Sequence, residues 1–291
     1  MAQTRELRRR IKSVENTRQI TKTMEMVATS KLKRAQDRVV AARPYAQALA
    51  EVIGDLYDAE LASRFPLLRR PDGPPRRVAL IAITSNRGLC GAFNANLIKE
   101  ARRRLGELEQ AGAEVELHLV GRKGIGFFRF LGRDVTVARQ DIGDRPTPVH
   151  AGELVQPLMD RFAGGQLDAV EVVFAKFNSA LSTPPTRLPV LPIEPPAHED
   201  GARRERFYLL KPDPEQILEA LLPLYVRNQV FRALVETAAA EQGARRTAMK
   251  NATDSAGDMI DTLRRTYNRA RQSQITQELA EIVGGAEALK G

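Results

Sequence analysis

The sequence predicts a mixed α/β protein with long terminal helices: an antiparallel coiled coil of the N- and C-terminal helices, with a small Rossmann-like α/β domain inserted between them. Three observations predict this. A heptad of apolar and small residues runs through the first segment, with no proline before Pro44. The stretch from Leu224 to Gly291 also lacks proline and repeats apolar or small residues at helical spacing. Between these ends, short runs rich in Val, Ile and Leu alternate with helical stretches. The chain accordingly divides into an N-terminal helix over 1–65, an α/β domain over 76–200 and a C-terminal helix over 212–291.

The N-terminal series is Leu7, Ile11, Val14, Ile20, Met24, Ala28, Leu32, Ala35, Val39, Ala42, Ala46, Leu49, Ile53 and Leu56. From Ala28 onward the spacing alternates four and three, which is the 3.5-residue repeat of a coiled-coil seam. Pro44 falls inside the pattern and predicts a kink, because it removes one backbone hydrogen bond. The helix should fade before Phe65-Pro66, and Pro71-Asp72-Gly73-Pro74-Pro75 reads as a linker.

In the middle, Arg77–Thr84 reads as a buried strand and 94–109 as a helix. Glu114–Val120 follows as a strand, then a glycine-punctuated helix near Gly124–Leu131 and a strand over Asp134–Arg139. A helix over His150–Phe162 and a strand over Ala169–Phe177 complete the alternation, which predicts a mainly parallel sheet. The proline-rich stretch Thr183–Pro196 must be loop or edge strand. At the far end Met249, Ala252, Ala256, Met259, Leu263, Tyr267, Ala270, Ile275, Leu279 and Ile282 mark the second stripe. Neither stripe is wide enough to stabilise a lone helix, so the two terminal helices are expected to bury their stripes against each other.

Composition narrows the function classes. The longest clean apolar run, Val78 to Ile83, is far short of the ~18 residues a membrane span needs. No apolar stretch follows the charged start, so a secretory signal is not expected. The single cysteine, Cys90, cannot form an internal disulfide, and with three scattered histidines it does not make a structural zinc site. Net charge is +9, and residues 1–43 carry most of it, with twelve Lys and Arg against four Asp and Glu. A partner of that segment should present acidic groups.

Chemical motifs are weak. The loop Ser85-Asn86-Arg87-Gly88-Leu89-Cys90-Gly91 follows a strand and precedes a helix, the usual place for a phosphate cradle. It matches neither G-x-G-x-x-G nor G-x-x-x-x-G-K-[ST], and Gly121-Arg122-Lys123-Gly124-Ile125-Gly126 fails both as well. These glycines are expected to shape turns. No cofactor or metal is expected, and ATP should not bind the chain alone. Nothing in sequence marks an activating base for Cys90. His118, His150 and His198 are expected in structural or surface roles. The basic residues flank seam positions and have no interleaved aromatics before Tyr45, which argues against a nucleic-acid platform.

Four separated stretches together resemble one family. Ile20-Thr21-Lys22-Thr23-Met24-Glu25-Met26-Val27-Ala28-Thr29-Ser30-Lys31 resembles the N-terminal shaft motif of ATP synthase γ subunits. The 85–91 loop resembles the family's S-D-R-G-L-C-G, with Asn86 in place of the usual Asp. Glu241 to Ala252 (EQGARRTAMKNA) resembles its C-terminal helix, and 275–286 fits I-T-x-E-x-x-E-x-x-x-G-A. The cysteine-bearing insert of the chloroplast forms is absent. The resemblance implies a non-catalytic central stalk whose paired helices enter a hexamer of α and β subunits. Its α/β domain would sit at the foot beside the ε subunit and the c-subunit ring. It implies a peripheral position on the cytoplasmic side of the cell inner membrane, or the matrix side in mitochondria; the start of the chain favours a bacterial form. The family's β-contact positions map onto Met24, Arg245, Gln272 and Thr276, with the Cys90 loop close to the acidic lever of β. Replacing Arg245 with Ala is expected to lower coupled synthesis while leaving the chain folded. Three other readings are a coiled-coil scaffold with an inserted domain, a basic nucleic-acid-binding protein and an α/β enzyme using the 85–91 loop. Association with α and β separates them from the stalk.

Overall fold

The computed structural model describes residues 2–56, 64–71, 73–194 and 214–288. Helix α1 spans Ala2–Leu56 and runs on through Pro44. A 3-10 turn, Pro66–Leu68, leads to β1 (Arg77–Ile83). Then follow α2 (Phe93–Gln110), β2 (Glu114–Val120), α3 (Arg122–Phe130), β3 (Val137–Arg139), α4 (Pro148–Ala163), β4 (Ala169–Ala175) and β5 (Pro185–Leu191). Helix α5 spans Pro214–Ala288.

The sheet has the order β3-β2-β1-β4-β5. Strands β1, β2, β3 and β4 run parallel, and β5 joins β4 antiparallel with a register shift at Val170/Glu171. The proline-rich stretch is therefore an edge strand, where missing N–H donors do least harm. Alternation along β1 sends Ala79, Ile81 and Ile83 to one core and Leu80 and Ala82 to the other. The first core takes Leu154, Leu158 and Phe162 from α4, Leu222, Val226 and Val230 from α5, and Leu49 and Ile53 from α1. The second takes Leu97, Ala101 and Leu105 from α2, Phe128 from α3, Leu32 and Val39 from α1, and Val235 and Ala239 from α5. A parallel sheet covered on both faces needs strands buried on both sides, as the unbroken run Val78–Ile83 is.

The chain forms two compact units: residues 29–245, just described, and residues 1–28 with 246–291. In the second unit the helices run antiparallel, since Thr21 Oγ1 meets Thr253 Oγ1 at 2.8 Å and Thr4 Oγ1 meets Gln274 Oε1 at 3.2 Å. Arg264 donates to Glu15 on its surface.

Two expectations need correction, and both have the same cause. Ile20 is 60% exposed, whereas Thr21 is buried; Met259 is 55% exposed, whereas Ile260 is buried. The true seam runs Leu7, Ile11, Val14, Arg18, Thr21, Glu25, Ala28 on α1 and Met249, Thr253, Ala256, Ile260, Leu263, Tyr267, Ala270, Gln274 on α5. Both keep strict four–three spacing. Following apolar residues past a threonine shifted each stripe by one position. Ile275, Leu279 and Ile282 are exposed, which ends the buried stripe at Gln274. The C-terminal helix, expected over 212–291, is described from Pro214 and contains Pro223. The first turn accepts Pro214 because an N–H at that position would find no partner within the helix.

Candidate functional site

The loops at the C-terminal ends of β1, β2, β3 and β4 gather against one stretch of α5. In parallel α/β folds this edge is where ligands bind. Here α5 holds it instead. Thr237 Oγ1 accepts from Ala175 N at 3.2 Å, and Glu236 Oε2 accepts from Phe177 N at 3.1 Å, both at the end of β4. Gly243 lies against the backbone of Ala180; a Cβ there would sit 3.2 Å from Ala180 O, so the helix tolerates glycine for the close approach it allows.

Arg245 reaches the 85–91 loop. Its guanidinium donates to Gly88 O at 3.2 Å and to Glu241 Oε1 at 2.6 Å, and both side chains are buried. Burial pushes the Glu241 carboxyl up, and the Arg245 charge opposes this only in part. Asp144, in the loop after β3, joins both terminal helices: it accepts from Lys31 Nζ at 2.5 Å and from Gln242 Nε2 at 3.1 Å. Arg38 donates to its carbonyl oxygen at 3.1 Å. Burial pushes Asp144 up, but the Lys31 hydrogen bond and charge prevail and hold it below the usual range. Gln242 Oε1 is buried without a partner.

Asn86 explains its own presence. Its Nδ2 donates to Gln140 O (2.9 Å) and Ile142 O (3.1 Å), and its Oδ1 accepts from Arg122 N (3.0 Å). A carboxylate would face two carbonyl oxygens, so this loop is built for an amide. Gly121 has φ 96°, and a Cβ there would lie 2.1 Å from Thr84 O, which makes glycine a steric requirement. A cavity of about 230 Å³ remains between these loops and α5, lined in part by Thr84, Asn86, Arg122, Asp144 and Glu241.

Ser85 N and Asn94 Oδ1 are 3.0 Å apart, and Asn94 Nδ2 donates to Ser85 Oγ and Cys90 Sγ. Cys90 is 2% exposed, and burial pushes its thiol up, the reverse of what a nucleophile needs. His118 is buried on β2, and its Nε2 lies 3.6 Å from Glu116, too far for a hydrogen bond. His150 closes a capping box with Thr147 at the start of α4. His198 lies outside the described residues.

The five positions expected from the resemblance to meet β thus fall into separate places. Cys90 and Arg245 share the 85–91 loop region, both buried. Met24 is half-buried on α1, while Gln272 and Thr276 are exposed on α5, joined by Thr276 Oγ1 donating to Gln272 O. The antiparallel register puts Met24 and Gln272 near opposite ends of their unit. Neither Glu241 as the partner of Arg245 nor Asp144 as the partner of Lys31 and Gln242 is singled out by the sequence. No spacing rule connects a loop residue at 144 to helices on either side of the domain.

A profile described as ATP synthase matches residues 3–289. A protein named ATP synthase gamma chain from Gemmatimonas aurantiaca is 62% identical over 291 residues, covering 100% of both chains. Another of that name, from Leptospira biflexa, is 44% identical over 99% of this chain and 100% of its own. Among solved structures, a chain of the Euglena gracilis mitochondrial ATP synthase (OSCP/F1/c-ring, rotational state 3) superposes with a TM-score of 0.70. Its identity is 20%, covering 99% of this chain and 95% of that one. A chain of the Tetrahymena thermophila mitochondrial ATP synthase central stalk/c-ring gives 0.58 at 23% identity, covering 80% and 99%. These two likenesses are of fold.

Proposed function

Because this chain belongs to the ATP synthase γ chains, by a family match over nearly its whole length and 62% identity to a γ chain end to end, we propose that it is the central-stalk rotor shaft of an F-type enzyme. In this reading it has no catalytic centre of its own. It couples proton-driven rotation to ATP synthesis at the β subunits of an α/β hexamer, and couples hydrolysis to rotation in reverse. Its other partners are the ε subunit and the c-subunit ring. Its place is peripheral, on the cytoplasmic side of the cell inner membrane. The division into helices over 1–65 and 212–291 around a domain over 76–200 is part of the same proposal.

The observation that carries the reading is the paired terminal helices. Thr21 meets Thr253, and a four–three seam runs on both sides. Two helices side by side have no threefold symmetry, so three surrounding subunits meet different faces at any angle. Such contacts shift a β subunit only by their differential free energy between its conformations. Rotation passes that bias from one β to the next. Met24, Gln272 and Thr276 are the proposed direct contacts. The Cys90 loop is proposed to face the acidic lever of β, with Arg245 fixing it from beneath through Gly88 O.

Native purification tests this. One copy of the chain is expected in an assembly with three α and three β subunits. Elution of the chain apart from α and β would overturn the reading, and turnover by the chain alone would revive the enzyme alternative.

A further inference from the structure

Leu89 is the non-glycine residue with positive φ among the described residues, at 61°. For a γ-branched side chain the left-handed region is disfavoured, because the Cβ crowds the following carbonyl oxygen. Glycine would remove that cost, and Gly91, two residues on, is also left-handed at φ 58°. The side chain gains nothing inside the fold, because Leu89 is 61% exposed while its neighbour Cys90 is 2% exposed.

The backbone on both sides of Leu89 is fixed. Arg245 donates to Gly88 O, Phe93 N donates to Cys90 O at 3.3 Å, and Asn94 Nδ2 reaches Cys90 Sγ at 3.2 Å. Arg245 is in turn held by the buried Glu241. A strained conformation maintained by a buried network, with an apolar side chain turned to solvent, is arranged for contact with something outside the chain. Arg87 and Lys123 are exposed beside it, and Lys123 runs past Gly88.

We propose that Leu89, rather than Cys90, is the contact residue of this loop, entering an apolar socket bordered by carboxylates on a β subunit. Arg87 and Lys123 face the rim of that socket. This rests on the shaft reading. The Leu89 side chain is the part of the loop that senses or pushes the partner, and the strain is what holds it outward and stiff.

The test uses the full chain assembled with α and β, carrying Leu89→Ala, Leu89→Gly or Leu89→Met. ATP hydrolysis per assembled complex is expected to fall about fivefold in the Ala and Gly variants alike, the loss of a buried apolar anchor at an interface. Leu89→Met, which keeps an apolar chain of similar reach, should stay within about twofold of the parent. In thermal unfolding of the full chain, Leu89→Gly should melt about 2–4 °C above Leu89→Ala, since both lack the side chain and Ala alone keeps the strain. An unchanged rate for Leu89→Ala overturns the proposal. So does a rate that Leu89→Ala loses and Leu89→Gly recovers, because the backbone and not the side chain would then matter. A Gly variant melting at or below the Ala variant removes the strain argument and the proposal with it. Failure of the unaltered chain to join α and β is a different result and removes the shaft reading itself.

Discussion

Arg245 and Glu241 form a buried pair, each side chain 11% exposed, whose members do different jobs. Arg245 ties the 85–91 loop to α5; Glu241 compensates its charge. Removing the arginine leaves a carboxylate buried and an anchor missing. Arg245→Ala should therefore destabilise the folded chain by about 3–5 kcal/mol, a loss visible in denaturant unfolding. That revises the expectation from sequence that the substitution acts on coupling alone. A buried carboxyl raised in the folded state favours its neutral form there, so Glu241's contribution to stability declines as pH rises above the ordinary carboxylate range. Asp144 works in the opposite sense. Its carboxyl is held down in the fold, so its contribution is present above the ordinary aspartate range and is lost as pH falls through the lower folded value. Asp141, held at about 2 chiefly by its hydrogen bond from Arg139, follows the same sign. Asp144→Asn should melt lower than the parent at neutral pH, and the difference should shrink below about pH 4. A gap that stays constant to pH 2 would show that the Lys31 contact contributes little.

The two terminal helices show what pattern-reading finds and where it slips. The helices and the parallel strands were legible, because spacing and β-branched runs act locally; the prolines of 183–196 left loop and edge strand both open, and the structure makes 185–191 an edge strand. The seam was legible between Ala28 and Ile53, where every buried position is apolar. It was misread at Thr21 and Thr253, because a hydroxyl can enter a seam when it finds a partner. Thr253 Oγ1 sits 2.8 Å from Thr21 Oγ1 and 2.8 Å from Met249 O, and Thr21 Oγ1 donates to Arg18 O at 3.0 Å. A polar layer of this kind favours one register over its neighbours. Thr21→Val or Thr253→Val alone should cost about 1 kcal/mol by leaving the other hydroxyl short of a partner, while the double replacement should return close to the parent. Chemical unfolding of the four chains closes this cycle, and strictly additive losses would dissolve the pair. The proposed contact loop was less legible. Sequence resemblance points at Cys90, yet the backbone turns Leu89 outward and Cys90 inward, a distinction set by φ angles that no residue pattern displays.

At the scale of the whole molecule, charge and packing separate by region. The excess positive charge lies in residues 1–43 and is displayed outward there, as at Arg8 and Arg9. Reversing both to Glu should slow association with α and β by about tenfold at low salt, and by less as salt screens the field; association kinetics across a salt series would read this out. The core of the α/β unit is built from all parts of the chain at once. Leu32 and Val39 from one terminus, and Val235 and Ala239 from the other, pack on the same face of the sheet. Residues 236–245 of α5 take up the sheet edge that in comparable folds admits a diffusible ligand. An occupant tethered to its own crevice acts at an effective concentration that a free small molecule seldom matches. A diffusible ligand at that edge would have to share it with the helix, within the cavity of about 230 Å³ left between the loops and α5, so the domain keeps the framework of a binding protein with its own polypeptide as a standing competitor.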